Sequence, residues 1–344
     1  MSAPVEALRR AMPPTRLVDG GMDYADVLGL QARTAAGQAW DEAAEELADA
    51  RLARDPANTV TALEELRYAA ADLLFAQMAY NFDVPRKIAL YDRFTAVVAR
   101  AAELASPPWE RLALPFGGGT LSGWLVRPAG PVAGTVVVFG GQSGWGATYL
   151  PIADALARRG LAALLAEGPG QGETRMHGGI LLDVDVRAAY STFVSHASTL
   201  GSRVGLWGNS MGGLYAATTA ASDPRVTAVC VNGAPATPRL LGFRTFDEQA
   251  CAMLGTDDHQ AVQENFDRLA LQPEDRIPGA LLVLHGDDDP IVRLAEQKPF
   301  LAAADGIAAL KRWPDGEHTI YNHAAERTAY VADWFADRFR ETED

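Results

Sequence analysis

A short apolar segment that turns into a helix through a serine between two glycines constrains the fold of this chain most. Residues 203–207 are rich in strand-forming side chains, Gly208-Asn209-Ser210-Met211-Gly212 follows, and small, helix-compatible residues continue to Ala220. This pattern is typical of a nucleophile elbow, where a side chain in place of glycine would collide with the backbone at a sharp strand-to-helix corner. The pentapeptide alone is weak evidence, since about one chain in ten of this length contains it by chance. Its position between a strand and a helix makes Ser210 a candidate nucleophile.

Predicted strands and helices alternate on both sides of this corner. The predicted strands cover residues 112–116, 121–126, 135–139, 161–166, 203–207, 226–231, 281–284 and 309–313. Predicted helices cover residues 149–159, 182–200 and 324–339. The alternation favours an α/β protein with a mostly parallel, eight-stranded sheet and helices on both faces. A partly helical insertion at about residues 233–278 is a candidate lid, because α/β sheets bind ligands at the carboxyl ends of their strands.

The first 108 residues form an alanine-rich region with helical periodicity. Apolar side chains recur at helical spacing in residues 40–52, in residues 61–80 and again after Pro85. Ser106-Pro107-Pro108 ends the region, because proline cannot continue a helix. We therefore predict a helical cap or accessory domain over residues 1–108 and a catalytic domain over residues 109–344.

The net charge and the residue types limit the partners of this chain. Its 344 residues carry a formal net charge of -14, which repels phosphate backbones and anionic lipid, so neither nucleic acid nor a membrane is an expected partner. A small-molecule substrate is expected, and a monomer and a homodimer both remain open. The chain has two cysteines, and its histidines do not show the spacing of metal ligands. We therefore expect neither a metal nor an organic cofactor. Residues 1–16 lack the apolar core of a signal peptide and no apolar run could span a bilayer, so we expect a cytoplasmic protein.

A serine nucleophile needs a base and an acid, which follow in the chain order Ser, Asp or Glu, His in this type of fold. Both are present in that order. Asp289 lies on the loop after a predicted strand, three residues beyond Gly286, and His318 lies on the loop after the last strand. We assign Ser210 as nucleophile, His318 as general base and later acid, and Asp289 as the residue that orients the histidine. The neighbouring residues Asp287, Asp288, His285 and His323 are the alternatives.

Acyl chemistry also needs hydrogen-bond donors for a developing oxyanion. The backbone N–H of Met211 is one candidate, because it follows the serine at the start of a helix. The second is expected from the loop after the strand at residues 135–139, where glycines allow close approach to a substrate. Gly141 and Gln142 are the candidates on that loop.

These motifs together resemble the α/β-hydrolase superfamily over roughly residues 110–340. The resemblance rests on Gly208-Asn209-Ser210-Met211-Gly212-Gly213, His285-Gly286-Asp287-Asp288-Asp289 and Asp315-Gly316-Glu317-His318. A narrower similarity, to the group of 2,6-dihydroxypseudooxynicotine hydrolase and the fungal ketide-shortening hydrolases, rests on Gly168-Pro169-Gly170-Gln171-Gly172-Glu173, Gly140-Gly141 and the helical amino-terminal region. It implies that a serine triad hydrolyses a carbon–carbon bond beside a ketone and that the amino-terminal helices help to cover the pocket.

One position departs from this narrower group. The resemblance to 2,6-dihydroxypseudooxynicotine hydrolase implies an acidic residue at a position where this chain has Ser143. Glu167 or His177 could replace that acid. The alternative for both is a structural role, since a residue near the end of a strand more commonly forms hydrogen bonds with the local backbone. Phe243 and Phe246 are candidate pocket residues in the insertion, with ordinary core packing as the alternative.

The leading prediction is a serine hydrolase that cleaves a carbon–carbon bond beside a ketone in a small aromatic or ketide-derived metabolite. Hydrolysis of a carboxylester, thioester or lactone is close behind, since the same triad serves each reaction. Acyl transfer or cyclisation is a further alternative, because a dry lid excludes water from the acyl-enzyme. A binding protein without catalysis is least favoured, because such a protein has no need of the nucleophile.

Overall fold

A computed structural model describes residues 4–340 and divides the chain into two compact units, Met1–Glu110 and Arg111–Asp344. Residues 1–3 and 341–344 lie outside the described residues. They belong to the ends of the two predicted domains, and residues 1–3 also belong to the segment 1–16 that was considered for a signal peptide.

The first unit is helical. Its helices are α1 (Val5–Ala11), α2 (Pro14–Asp19), α3 (Tyr24–Ala35), α4 (Trp40–Leu52), α5 (Thr59–Gln77) and α6 (Pro85–Leu104). The buried side chain of Trp40 donates its indole N–H to the carbonyl oxygen of Phe75 at 2.9 Å, which ties α4 to α5. Arg51 joins α3, α4 and α5 through ion pairs with Asp26 at 2.8 Å and Glu65 at 3.1 Å. Buried apolar contacts and this charged cluster together hold the helices.

The second unit is built on one sheet of eight strands in the order β1-β2-β4-β3-β5-β6-β7-β8. The strands are β1 (Glu110–Phe116), β2 (Gly119–Val126), β3 (Gly134–Phe139), β4 (Leu161–Glu167), β5 (Val204–Asn209), β6 (Val226–Asn232), β7 (Ala280–Gly286) and β8 (Ala308–Trp313). Strand β2 pairs antiparallel with β4, and the pairs from β4 through β3 and β5 to β8 are parallel. The expected α/β class with a mostly parallel, eight-stranded sheet is confirmed.

Helices lie between these strands and after the last of them. They are α7 (Leu150–Ala157), α8 (Gly172–Met176), α9 (Val186–Ala197), α10 (Met211–Ser222), α11 (Arg244–Leu254), α12 (His259–Leu269), α13 (Lys298–Ala302) and α14 (Ala324–Arg340). Short 3-10 turns cover Gly146–Tyr149, Leu294–Gln297 and His318–His323. Helix α9 is shorter than the predicted 182–200 because the carboxylate of Asp185 accepts the N–H of Ala188 at 3.0 Å and caps the helix there.

The central strands position the candidate site. Every residue of β3 and β5 is buried, as expected for parallel strands covered on both faces. Because β3 to β8 run parallel, the loops after them leave the sheet at the same edge, where α/β sheets bind ligands. Helices α11 and α12 lie in the chain between β6 and β7, within the insertion predicted as a lid.

Residues 4–340 contain neither a membrane-spanning helix nor a cluster of metal-binding side chains. None of the helices formed by these residues is both long and apolar enough to cross a membrane. Across the same residues, no group of three or more His, Cys, Asp or Glu side chains is arranged to hold a metal ion.

An ion pair at the edge of the sheet opposite these loops makes a pH-dependent contribution to stability. Asp223, just before β6, is buried and accepts bonds from Arg225, with Nη2 to Oδ2 at 2.5 Å. Burial raises the pKa of Asp223, but the bonds from Arg225 outweigh it and hold the pKa below its usual range. A lowered folded-state pKa adds stability above the unfolded pKa of about 3.9, and this stability is lost as the pH falls through the folded value.

Asp223→Asn should therefore lower the free energy of unfolding at pH 7 by about 1–2 kcal/mol, between the values for exposed and buried pairs. Urea denaturation at pH 7 and at successively lower pH measures this difference, which should shrink as the pH falls below about 4. Asp337→Asn removes the exposed partner of Arg340 and should cost less than about 0.5 kcal/mol. If the loss of unfolding free energy in Asp223→Asn stayed constant with pH, the lowered pKa of Asp223 would be contradicted.

Candidate active site

Ser210 occupies a strained corner between β5 and α10. Its φ is 54° and its ψ is -131°, a conformation that L-residues rarely adopt. The corner is held by its backbone, since the N–H of Ser210 donates to the carbonyl oxygen of Asn232 at 2.8 Å. A Cβ atom at Gly212 would lie 2.5 Å from the carbonyl oxygen of Phe139, which explains the glycine of the motif. The serine hydroxyl is therefore presented at a fixed position.

The structure brings Ser210, His318 and Asp289 into one hydrogen-bonded line. His318 Nε2 lies 3.0 Å from Ser210 Oγ, and His318 Nδ1 lies 2.8 Å from Asp289 Oδ2. The side chain of Asp289 is 1% exposed and that of His318 is 10% exposed. These distances are those expected of a nucleophile, its base and an orienting acid.

The environment of Asp289 keeps its carboxyl group ionised. Its Oδ1 accepts the backbone N–H groups of Ile291 at 2.8 Å and Val292 at 3.0 Å. Burial raises the pKa of Asp289, but His318 and these two N–H groups outweigh the burial and hold the pKa below its usual range. An ionised Asp289 can only accept from His318, so Nδ1 carries the proton and Nε2 is left to accept the proton of Ser210.

The alternative acids and bases have other surroundings. Asp287 pairs with Arg312 at 2.7 Å and Asp288 is exposed. His285 is buried, and burial lowers its pKa. His323 lies 3.0 Å from Asp315. Of these groups, none appears in the hydrogen-bonded line that contains Ser210.

The loop after β3 lies against the serine. A Cβ atom at Gly141 would lie 2.9 Å from the Cβ of Ser210 and 3.4 Å from its Oγ, so only a glycine fits without displacement. Gln142 is 6% exposed. Met211 is the first residue of α10, and the first N–H groups of a helix have no partner within the helix. The three residues expected to supply oxyanion donors therefore lie on the loop that contacts Ser210 and directly after Ser210 itself.

A buried amide side chain links the serine corner to the histidine loop. Asn232 Nδ2 donates to Asn209 Oδ1 at 2.9 Å and to the carbonyl oxygen of Thr319 at 3.0 Å. That same oxygen accepts Nη1 of the buried Arg327 at 2.9 Å. Thr319 directly follows His318 and has a φ of 51°, a strained conformation that these two bonds support.

Asn232 and Arg327 are not among the site residues predicted from the sequence. One signal was available, because Asn209 and Asn232 end neighbouring strands and face each other in register. A buried amide at such a position is costly unless it is hydrogen-bonded.

A narrow, mainly apolar depression lies beside Ser210. Its apolar wall is formed by Met211, Pro235, Leu241, Phe246, Ile291 and Val292. Two charged residues complete the lining, Arg239 and Glu296, whose Nη1 and Oε1 atoms form an ion pair at 2.7 Å. This pocket therefore offers a hydrophobic surface and one charged pair next to the serine.

The remaining predicted pocket residues lie in different surroundings. Phe246 lines the pocket, whereas Phe243, just before α11, is 56% exposed and is not among its lining residues. Glu167 is buried at the end of β4, where its carboxylate accepts the N–H of Glu173 at 2.6 Å. His177 is exposed and Ser143 is half-buried.

Comparison with known proteins gives similarity over nearly the full length. The profile of the prolyl oligopeptidase family matches residues 183–342. The 2,6-dihydropseudooxynicotine hydrolase of Paenarthrobacter nicotinovorans is 25% identical over 350 residues, which cover 94% of this chain and 90% of that protein.

Two solved structures share the fold. The crystal structure of 2,6-dihydroxy-pseudo-oxynicotine hydrolase has a TM-score of 0.82 and 24% identity, covering 95% of this chain and 96% of the other. A structure of AbyA5 has a TM-score of 0.74 and 20% identity, covering 98% of this chain and 94% of the other.

Proposed function

We propose that this chain, which is an α/β-hydrolase, is a serine hydrolase in which Ser210 attacks an activated carbonyl carbon. The proposal rests on the hydrogen-bonded line in which His318 Nε2 lies 3.0 Å from Ser210 Oγ and His318 Nδ1 lies 2.8 Å from Asp289. The mechanism calls on no metal or organic cofactor.

In the first step, His318 Nε2 takes the proton of the Ser210 hydroxyl while Oγ forms a bond to the carbonyl carbon. The ionised Asp289 stabilises the imidazolium that results, as the depressed pKa of its carboxyl group allows. The carbonyl oxygen becomes an oxyanion, and N–H groups beside the serine stabilise it. Each such donor is worth about 3–4 kcal/mol in the transition state.

In the second step, the tetrahedral adduct collapses and the bond to the leaving group breaks. For a carbon–carbon bond the electron pair remains on the carbon next to the second carbonyl, and this carbon takes the proton from His318. The acyl group stays on Ser210 as an ester. A water molecule, activated by His318, then releases the acyl group as a carboxylic acid and restores the serine.

We propose carbon–carbon cleavage beside a ketone as the leading reaction, with a small aromatic or ketide-derived metabolite as substrate. The apolar pocket beside Ser210 supports a compact hydrophobic substrate. The full-length similarity to a hydrolase of 2,6-dihydropseudooxynicotine supports the same reaction class. Ester, thioester or lactone hydrolysis is the second candidate, because the same serine triad serves each of these reactions.

Product analysis separates these two reactions. The purified protein should convert a β-diketone and water into one carboxylic acid and one ketone, and a panel of β-diketones, aryl ketones and aryl esters measured by kcat/KM should favour the ketones. Ser210→Ala serves as the blank for background hydrolysis. Turnover of the esters alone would contradict the carbon–carbon reaction while leaving the serine mechanism in place.

A further inference from the structure

The glycine-rich segment after β4 contains a buried side chain that the mechanism above does not use. Gln171 lies in Gly168-Pro169-Gly170-Gln171-Gly172 and is 0% exposed. Its Nε2 donates to the carbonyl oxygen of Gly140 at 2.8 Å and to that of Gly141 at 2.8 Å. One amide nitrogen thus holds two consecutive peptide carbonyls of the loop that lies against Ser210.

The other end of the same amide is also held. Gln171 Oε1 accepts the N–H of Gly168 at 2.8 Å and lies 3.4 Å from the hydroxyl of Tyr190. Tyr190 is buried and stacks on Phe139, the last residue of β3, with ring centroids 4.1 Å apart. A reversed amide would place oxygen against two carbonyl oxygens and nitrogen against an N–H. The orientation of the Gln171 side chain is therefore determined by its surroundings.

Peptide geometry connects these bonds to the N–H groups of the loop. In a planar trans peptide, the C=O of one residue and the N–H of the next point in opposite directions. The peptide that contains the carbonyl of Gly140 also contains the N–H of Gly141, and the next peptide pairs the carbonyl of Gly141 with the N–H of Gln142. Because both carbonyls point toward Gln171, both N–H groups point away from it.

We propose that Gln171 is a positioning residue that orients the N–H groups of Gly141 and Gln142 as oxyanion donors. The inference rests on the proposed serine mechanism, because it assumes that an oxyanion forms beside Ser210. Gly141 fits this role because it lies directly against Ser210, where the Cβ of any other residue would come within 2.9 Å of the serine Cβ. Gln171 does not touch the substrate and acts through the loop.

The residue type is specific. Asparagine is one methylene shorter and cannot reach both the loop and Gly168. Leucine matches the size of glutamine but has no donor. Glutamate matches the shape, and its neutral form supplies one O–H donor, whereas its ionised form places negative charge beside two carbonyl oxygens. These differences allow the bonds to be tested apart from the packing.

Gln171→Leu should lower kcat by about 10²- to 10³-fold, the effect of losing one oxyanion donor, and leave KM within about threefold, because the donors act mainly in the transition state. Gln171→Glu should retain more activity than Gln171→Leu at low pH. Its kcat relative to the unaltered protein should fall as the pH rises, because the carboxyl group loses its proton, while the ratio for Gln171→Leu should not change with pH.

Asp223→Asn is the matched control for lost stability, because it removes a buried interaction at the opposite edge of the sheet. It should leave kcat unchanged at a temperature where both variants are folded, as judged by urea denaturation. A Gln171→Leu variant with unaltered kcat, or one whose loss is matched by Asp223→Asn, would overturn the positioning role. An unaltered kcat in Ser210→Ala would instead overturn the serine mechanism itself, so the two failures are distinguishable.

Discussion

Ser210→Ala is expected to lower kcat by about 10⁵- to 10⁶-fold, because it removes the atom that forms the bond to the substrate. The fold should be retained, since the corner is held by the backbone bond from Ser210 N–H to Asn232 and alanine keeps that N–H. Steady-state turnover of the best substrate from the panel, with urea denaturation to verify folding, measures both parts of the expectation.

Ser222→Ala is the control for this variant. Ser222 lies at the far end of α10, and its hydroxyl donates to the carbonyl oxygen of Thr219 at 3.0 Å. Its removal should leave kcat unaltered. If Ser210→Ala turned over substrate at the rate of the unaltered protein, the reaction would not proceed through this serine.

Asp289→Asn should lower kcat by about 10⁴-fold, the effect of the corresponding change in a serine triad. Asparagine keeps the shape of aspartate, but its amide nitrogen can donate to His318 and favours the tautomer with the proton on Nε2. That nitrogen then cannot accept the proton of Ser210. KM should change little, because the pocket wall is not altered.

Asp288→Asn is the matched control, as the adjacent carboxylate is exposed. We expect it to change kcat by less than about threefold, in line with the small effects of surface substitutions. A loss in Asp288→Asn as large as that in Asp289→Asn would show that the orienting acid has been misassigned.

The sheet and the three residues of the hydrogen-bonded line could be predicted from the sequence because each leaves a local pattern. Continuous apolar runs predict buried parallel strands, as at β3 and β5. Asp289 and His318 each follow such a run, and parallel strands bring the loops after them to one edge. The choice among Asp287, Asp288 and Asp289 rested on the resemblance to hydrolases in which the acid stands three residues after this glycine, and in the structure Asp289 lies against His318.

The residues that support the site could not be predicted in the same way. Gln171 and Asn232 bond to backbone carbonyl oxygens of Gly141 and Thr319, which are 30 and 87 positions away in the chain. Every residue has a carbonyl oxygen, so such an acceptor leaves no pattern in the sequence. Only the three-dimensional arrangement shows which oxygen is reached.

The two phenylalanines of the insertion illustrate a second limit. Phe243 and Phe246 lie three positions apart around the start of α11, yet only Phe246 lines the pocket. The sequence shows that both side chains are apolar, but the orientation of the helix against its neighbours decides which of them faces the pocket. Phe246 also packs against the apolar core, so pocket lining and core packing coincide at this residue.

The side-chain nitrogen of Gln171 bonds to the loop after β3 through main-chain oxygens. Substitutions at Gln142 or Ser143 alter side chains on the loop while leaving the carbonyl oxygens of Gly140 and Gly141 available to Gln171. The backbone of the loop should therefore keep its position when the side chains at positions 142 and 143 are varied.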